Sequence, residues 1–91
     1  MSLSKARPAD TAGQALQDLL RFLAKGLVDT PEAVEVTQTT DGQTVVLRLR
    51  VAQGEVGRVI GKDGRVAKAL RTVLRAAASR RGARVLVDIE A

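Results

Sequence analysis

Residues 56–71 read VGRVIGKDGRVAKALR, and the meaning of this stretch decides what the rest of the chain is for. Gly61 and Gly64 bracket Lys62 and Asp63. The aliphatic residues Val56, Val59 and Ile60 precede them, and a basic run with helical spacing follows from Arg65. "GKDG" is not a nucleotide-binding P-loop: Gly57 to Lys62 gives G-x-x-x-G-K, one residue short, and Asp63 stands where Ser or Thr should hold magnesium. Nor is it a dinucleotide fingerprint, because G-x-G-x-x-G is absent and no strand leads directly into it. What remains is a tight turn between two helices. Glycine in such a turn permits a positive φ, which a plain helical corner needs. Two glycines around a polar pair also let another chain approach the backbone. Gly64 then opens a helix whose unsatisfied N–H groups and dipole favour an anion, with Lys62, Arg65 and Arg58 adding charge. Val56, Val59 and Ile60 either pack in the core or line an apolar groove beside the turn with part of the second strand.

Outward from the turn, the periodicity is clear on both sides. Towards the N-terminus, QTVVLRLRV alternates Val45, Leu47, Leu49 and Val51 with Val46, Arg48 and Arg50, the mark of a half-buried strand. AVEVTQT, before it, alternates in the same way, and Asp41-Gly42 between the two is a hairpin signal. Further back, Leu16, Leu19, Leu20, Leu23 and Leu27 form one apolar helical stripe from about Ala12, with Asp10 or Thr11 as its cap and Gly26 near its end. Pro31 marks the boundary, since it pushes Thr30 out of the α region.

Towards the C-terminus, Arg65–Arg80 reads as a helix with Val66, Leu70, Val73, Leu74 and Ala77 on its apolar stripe. Gly82 sits at the C′ position. ARVLVDIE closes as a strand with Val85, Val87 and Ile89 inward. The order is α-β-β-α-α-β, an α+β domain with helices covering one face of a three-stranded sheet. Residues 1–11 are expected to be a flexible tail and residues 12–91 the single domain.

The composition narrows the chemistry. The 91 residues contain no histidine and no cysteine. A Ser/His/Asp triad, the commonest general base, disulfides and thiolate metal sites are therefore all ruled out. No acidic pair is forced together by spacing, so no enzyme, metal site or cofactor is expected. No run reaches membrane-span length, and MSLSKARPADTAG lacks the apolar region of a secretory signal; the expectation is a cytoplasmic protein with no membrane partner. The net charge of +5 is uneven. Residues 58–81 hold eight basic residues against Asp63 alone, which points to a polyanion partner unless the face is simply solvated. Phe22 is the only aromatic residue, so base-stacking platforms are not available.

At these residues the chain resembles a KH domain. The I-G-x-x-G-R core within VGRVIGKDGR, its flanking helices and the order α-β-β-α-α-β are similar to the type II, prokaryotic arrangement. The size resembles the small bacterial single-KH proteins of the KhpA-like family. The resemblance spans about residues 12–90. It implies binding of about four nucleotides of single-stranded RNA along a cleft, with an RNA chaperone or post-transcriptional role. Gly61, Lys62, Asp63 and Gly64 match the loop that clamps the backbone, Arg58 and Arg65 its flanks, and Val59 and Ile60 the apolar floor. It also implies self-association and pairing with a larger KH-containing RNA-binding protein. A candidate dimer face is the exposed side of the last helix around Val73, unless that valine is core. Asp63 departs from the pattern, because an acid meets phosphate poorly; the alternative is that it caps the following helix. Lys68, Arg71 and Arg75 share a helix face and extend the basic track. The competing reading is a protein-interaction or ribosome-associated scaffold built on that basic helix. Arg48 and Arg50 are expected to pair across strands with Asp88 or Glu90.

Overall fold

The leucine stripe of the N-terminal segment folds as expected, but its helix starts earlier. In the computed structural model, which describes residues 8–90, helix α1 spans Pro8–Lys25. Proline suits a first helical position, where its missing N–H has no intrahelical partner to lose. Asp10 and Thr11 therefore lie inside the first turn and not at the cap, and the helix begins four residues before the expected boundary at residue 12. The remainder of the expected tail, residues 1–7, and residue 91 lie outside the described residues.

A short 3-10 turn at Pro31–Ala33 leads into β1 (Glu35–Asp41), and a hairpin through Gly42 leads into β2 (Thr44–Arg50). Helix α2 (Val56–Ile60), a 3-10 turn at Lys62–Gly64 and helix α3 (Arg65–Arg80) follow, and β3 (Arg84–Ile89) ends the fold. β1 and β2 pair antiparallel, with Glu35 opposite Arg50 and Asp41 opposite Thr44. β2 and β3 pair parallel, with Val45 opposite Val85 and Leu49 opposite Ile89. The sheet order is β1-β2-β3, so β2 is central and α2 and α3 make the crossover to β3. α3 ends in a Schellman motif: the N–H of Ala83 donates to the Ala78 carbonyl at 2.9 Å and that of Gly82 to Ser79 at 3.1 Å.

The core follows from this order. Val45, Leu47 and Leu49 of the central strand are wholly buried, because they have a strand on either side and helices above. Leu16 and Leu20 of α1 and Leu70 and Leu74 of α3 close over them, and each such leucine contributes about 1.5–3 kcal/mol relative to an exposed one. Val85 and Val87 face inward from β3 as the alternation predicts. Two exposed apolar residues stand outside this core. Val73 is 45% exposed, so it belongs to the surface of α3 and not to the core stripe. Phe22 is 74% exposed and packs in no core.

Gln17 and Gln38 tie α1 to β1. The Gln38 side-chain amide donates to Gln17 Oε1 at 2.9 Å, and Gln17 Nε2 donates to the Val36 carbonyl. On the sheet face away from the helices, Arg48 pairs with Asp88 at 3.9 Å and Arg50 with Glu90 at 3.8 Å, as the strand pattern predicts. Arg50 also reaches Glu35 on β1, at 3.6 Å.

Candidate nucleic-acid interface

The two glycines of "GKDG" do different work. The Gly61 N–H donates to the Gly57 carbonyl at 2.8 Å and ends α2. Its backbone sits at φ 78°, ψ 173°, where side chains are strongly disfavoured. A Cβ placed there would lie 2.4 Å from Val66 Cγ2 and 2.9 Å from the Val66 nitrogen, so the first turn of α3 packs directly on the Gly61 α-carbon. Gly61 is thus filled in by the protein itself. Gly64 is the reverse case: φ is 74°, yet a Cβ would meet nothing within 4 Å. Only Gly64 offers the open approach that the sequence reading assigned to both.

Between them Asp63 takes φ 57°, ψ 24°, a left-handed conformation that Asp and Asn tolerate better than most residues. It is exposed, and its carboxylate has no hydrogen bond or ion pair among the described residues. The helix cap is Gly64, so the capping role considered for Asp63 is not the observed one. The expectation of bare amides also needs correction. The N–H of Gly64 donates to the Gly61 carbonyl at 3.1 Å, and that of Arg65 to the Lys62 carbonyl, because the 3-10 turn uses them internally. Attraction for an anion at this end of α3 therefore comes from the dipole and from Lys62 and Arg65 rather than from these two amides.

Lys62, Arg65 and Lys68 are all exposed and carry no ion pair among the described residues. Arg65 and Lys68, three apart, lie on one face of α3 beside the turn. Arg58 does not join them. It holds Asp29 with two contacts, Nη2 to Oδ2 at 2.8 Å and Nη1 to Oδ1 at 3.2 Å. Asp29 lies in the loop after α1, and that loop is further fastened by Glu55, whose carboxylate accepts the N–H of Asp29 at 2.5 Å and of Thr30 at 3.1 Å. Asp29 and Glu55 went unnoticed in the sequence because their partners lie 25–29 residues away.

The aliphatic run splits as well. Val59 is wholly buried in the core and has no surface to offer a ligand, so its groove-floor assignment is corrected to packing. Ile60 and Val56 are half-buried. Val56 lines a depression with Arg50 and Val51 at the end of β2, the part of the second strand expected there. β2 is central with its helix-side residues sealed, and the strand bordering α3 at the open edge is β3. Arg71 spans that border, its Nε donating to the Val87 carbonyl at 3.3 Å.

A helix, a short glycine-bracketed turn and a second helix, inserted between parallel strands of a three-stranded sheet, are the parts of a KH motif. The family model described as "KhpA/KhpB, KH domain" matches residues 17–89. The chain belongs to the KhpA/KhpB KH-domain family. Relatives named RNA-binding protein KhpA include one from Clostridium acetobutylicum, 49% identical over 74 residues, covering 81% of this chain and 99% of that protein. The KhpA of Aquifex aeolicus is 48% identical over 75 residues, 82% and 95% of the two chains. That of Chlamydia trachomatis is 39% identical over 74 residues, 81% and 95%. No solved structure matches the chain. The KhpA/KhpB match takes in the turn, all three strands and the second half of α1, so the family is set by most of the domain and not by the glycine motif alone.

Proposed function

We propose that this KH-family chain binds single-stranded RNA at the GKDG turn, with low sequence specificity, in an RNA chaperone or post-transcriptional role. The observation that carries the reading is the open side of Gly64 lying among three cations, Lys62, Arg65 and Lys68, that have no ion pair among the described residues. Such a site grips phosphate and reads few base edges, which favours backbone binding over sequence recognition. The relatives' RNA-binding names agree with it. About four nucleotides occupy the turn and its cleft. With three to four phosphates gripped, log K falls against log salt with a slope of about −2 to −3. The role is binding without a catalytic step, in the cytoplasm; among the described residues no helix is long and apolar enough to cross a membrane.

The test is Lys62→Asp with Asp63 retained. RNA affinity is expected to fall about tenfold, and the salt slope to flatten by about 0.7, while the thermal melt stays the same. Unchanged affinity in the folded variant overturns the turn as the clamp.

Self-association and pairing with a larger KH-containing RNA-binding protein complete the proposal. Val73 on α3, beside a shallow apolar groove of about 230 Å³ lined by Leu23, Leu27, Val66 and Leu70, is the face we assign to a second copy. Light scattering of Val73→Asp should return a monomer where the parent is a dimer, and an unaltered mass removes this face from the assignment.

A further inference from the structure

The basic track does not stop at the turn. Between Asp63 and Asp88 the chain has seven basic residues and no acidic one. Elsewhere in the described residues arginines find carboxylates: Arg21 with Asp18, Arg48 with Asp88, Arg50 with Glu35 and Glu90, Arg58 with Asp29. Arg75, Arg80, Arg81 and Arg84 find none among the described residues. Arg80 and Arg81 lie at the C-terminus of α3, where a cation is favoured by the helix dipole, and that suffices to explain them. Arg75 is in mid-helix and Arg84 opens β3, so no helix end accounts for either.

Both arginines border one depression between α3 and β3. Two depressions run end to end between α3 and the edge strand β3 and share Arg75 and Val85. The first, of about 110 Å³, is bordered by Arg71 and Val87, the latter bonded to Arg71. The second, of about 290 Å³, is bordered by Ser79, Ala83 and Arg84. From Arg65 to Ser79, α3 rises about 21 Å at 1.5 Å per residue. A stacked strand advances about 3.4 Å per nucleotide, so the distance from the turn to the second depression takes about six steps, beyond the reach of four nucleotides.

We infer that the strand held at the GKDG turn continues along the α3–β3 groove to a second phosphate subsite made by Arg75 and Arg84. The site then takes a single strand of about eight nucleotides, within the usual range for one small domain. This rests on the proposed RNA reading of the turn. The charge is complementary to a phosphodiester chain. The two depressions form a continuous line from mid-helix to the far end of α3, the shape a strand needs. The subsite supplies contacts to phosphate and none to a particular base.

The experiment compares oligouridylates of four and ten nucleotides on the full chain, with the double variant Arg75→Gln/Arg84→Gln and the charge-keeping Arg75→Lys/Arg84→Lys. In the parent, the ten-mer should bind at least about tenfold tighter than the four-mer after correction for binding registers. Its salt slope should be steeper by about 1.4, two further contacts at about 0.7 each for a single strand. The glutamine variant should lose both differences and leave four-mer affinity and the melting curve unchanged; the lysine variant should keep them. Equal binding of the two lengths by the parent overturns the inference. So does a glutamine variant that binds the ten-mer as tightly as the parent, or one that loses four-mer affinity equally. Lys62→Asp, run beside them, separates the two levels: if it leaves both lengths bound normally, it is the reading of the turn that fails.

Discussion

The outer face of the sheet and the outer face of α3 both display arginine, yet they are opposite kinds of surface. On the sheet, Arg48 and Arg50 stand among Glu35, Asp88 and Glu90, with nitrogen-to-oxygen distances of 3.6–3.9 Å. Two cations there face three carboxylates, so the face is close to neutral. On α3 and its turn, Lys62, Arg65, Lys68 and Arg75 have no partner among the described residues. A strand places residues from neighbouring chains in register, so one strand's arginine meets the next strand's acid. A helix meets only its own residues three and four away on its outer face, and α3 contains no acid at all. A net charge of +5 therefore understates the field on one side of the molecule and overstates it on the other.

The largest effect that tests this contrast comes from glycine. Gly61→Ala forces a Cβ into the backbone and side chain of Val66 at a positive φ, so the turn and α3 must move apart. The expected loss is about 3 kcal/mol by urea denaturation, from overpacking and backbone strain together, and RNA binding should fall with it. Gly42→Ala, at φ 63° in the hairpin on the sheet side, meets nothing within 4 Å. It should cost only the left-handed penalty, about 1–2 kcal/mol, and leave RNA affinity alone. Equal losses at the two positions would mean that the packing of Val66 on Gly61 gives way easily and that the turn is softer than its geometry implies.

Charge reversal is the next largest effect and bears on the comparison directly. Lys68→Glu should weaken binding of a short oligouridylate about tenfold and flatten the salt slope by about 0.7, since it removes one phosphate contact and adds a repulsion. Arg48→Glu makes the same change in net charge on the neutralised face and should alter affinity less than about twofold at 0.15 M salt, where charges beyond about 8 Å are screened. Fluorescence anisotropy at one fixed ionic strength decides it. Similar losses from the two variants would show that overall charge, and not the face, governs binding.

Much of the fold was legible before the structure. The leucine stripe of α1, the two alternating strands and the Schellman glycine after α3 all speak through spacing along the chain, and spacing is what a sequence displays. The pairings of Arg48 with Asp88 and of Arg50 with Glu90 followed once both strands were recognised. The candidate site was only half legible. Val59 and Ile60 are adjacent in a five-residue helix, too short to establish a periodicity, so nothing local told the buried valine from its half-buried neighbour. Arg58 looked like part of the phosphate grip because Asp29, which holds it, comes 29 residues earlier. The identity of the edge strand depends on how the crossover returns, parallel beside β2, and no residue of β3 announces that. Gly61 and Gly64 look alike as letters and differ only in what lies across from each α-carbon.

Asp63 gives the smallest effect and the sharpest question, because it is the one acid on the basic face. It already pays for a left-handed backbone, φ 57°, and its carboxylate has no partner among the described residues. Asn tolerates that conformation about as well, so Asp63→Asn removes the charge and keeps the turn. Stability should move by less than about 0.5 kcal/mol, as for an exposed surface change. RNA affinity should rise about threefold at 0.15 M salt, the effect of lifting one repulsion at the edge of a phosphate site, where much of it is already screened. Asp63→Gly should add a modest gain in stability as well, since glycine takes a positive φ without the steric penalty. The informative alternative is a loss of affinity in Asp63→Asn with the fold intact. A carboxylate can accept from a ribose hydroxyl or a base amino group, and such a loss would mean that the turn reads the nucleotide as well as holding its phosphate, which a face made only of cations cannot do.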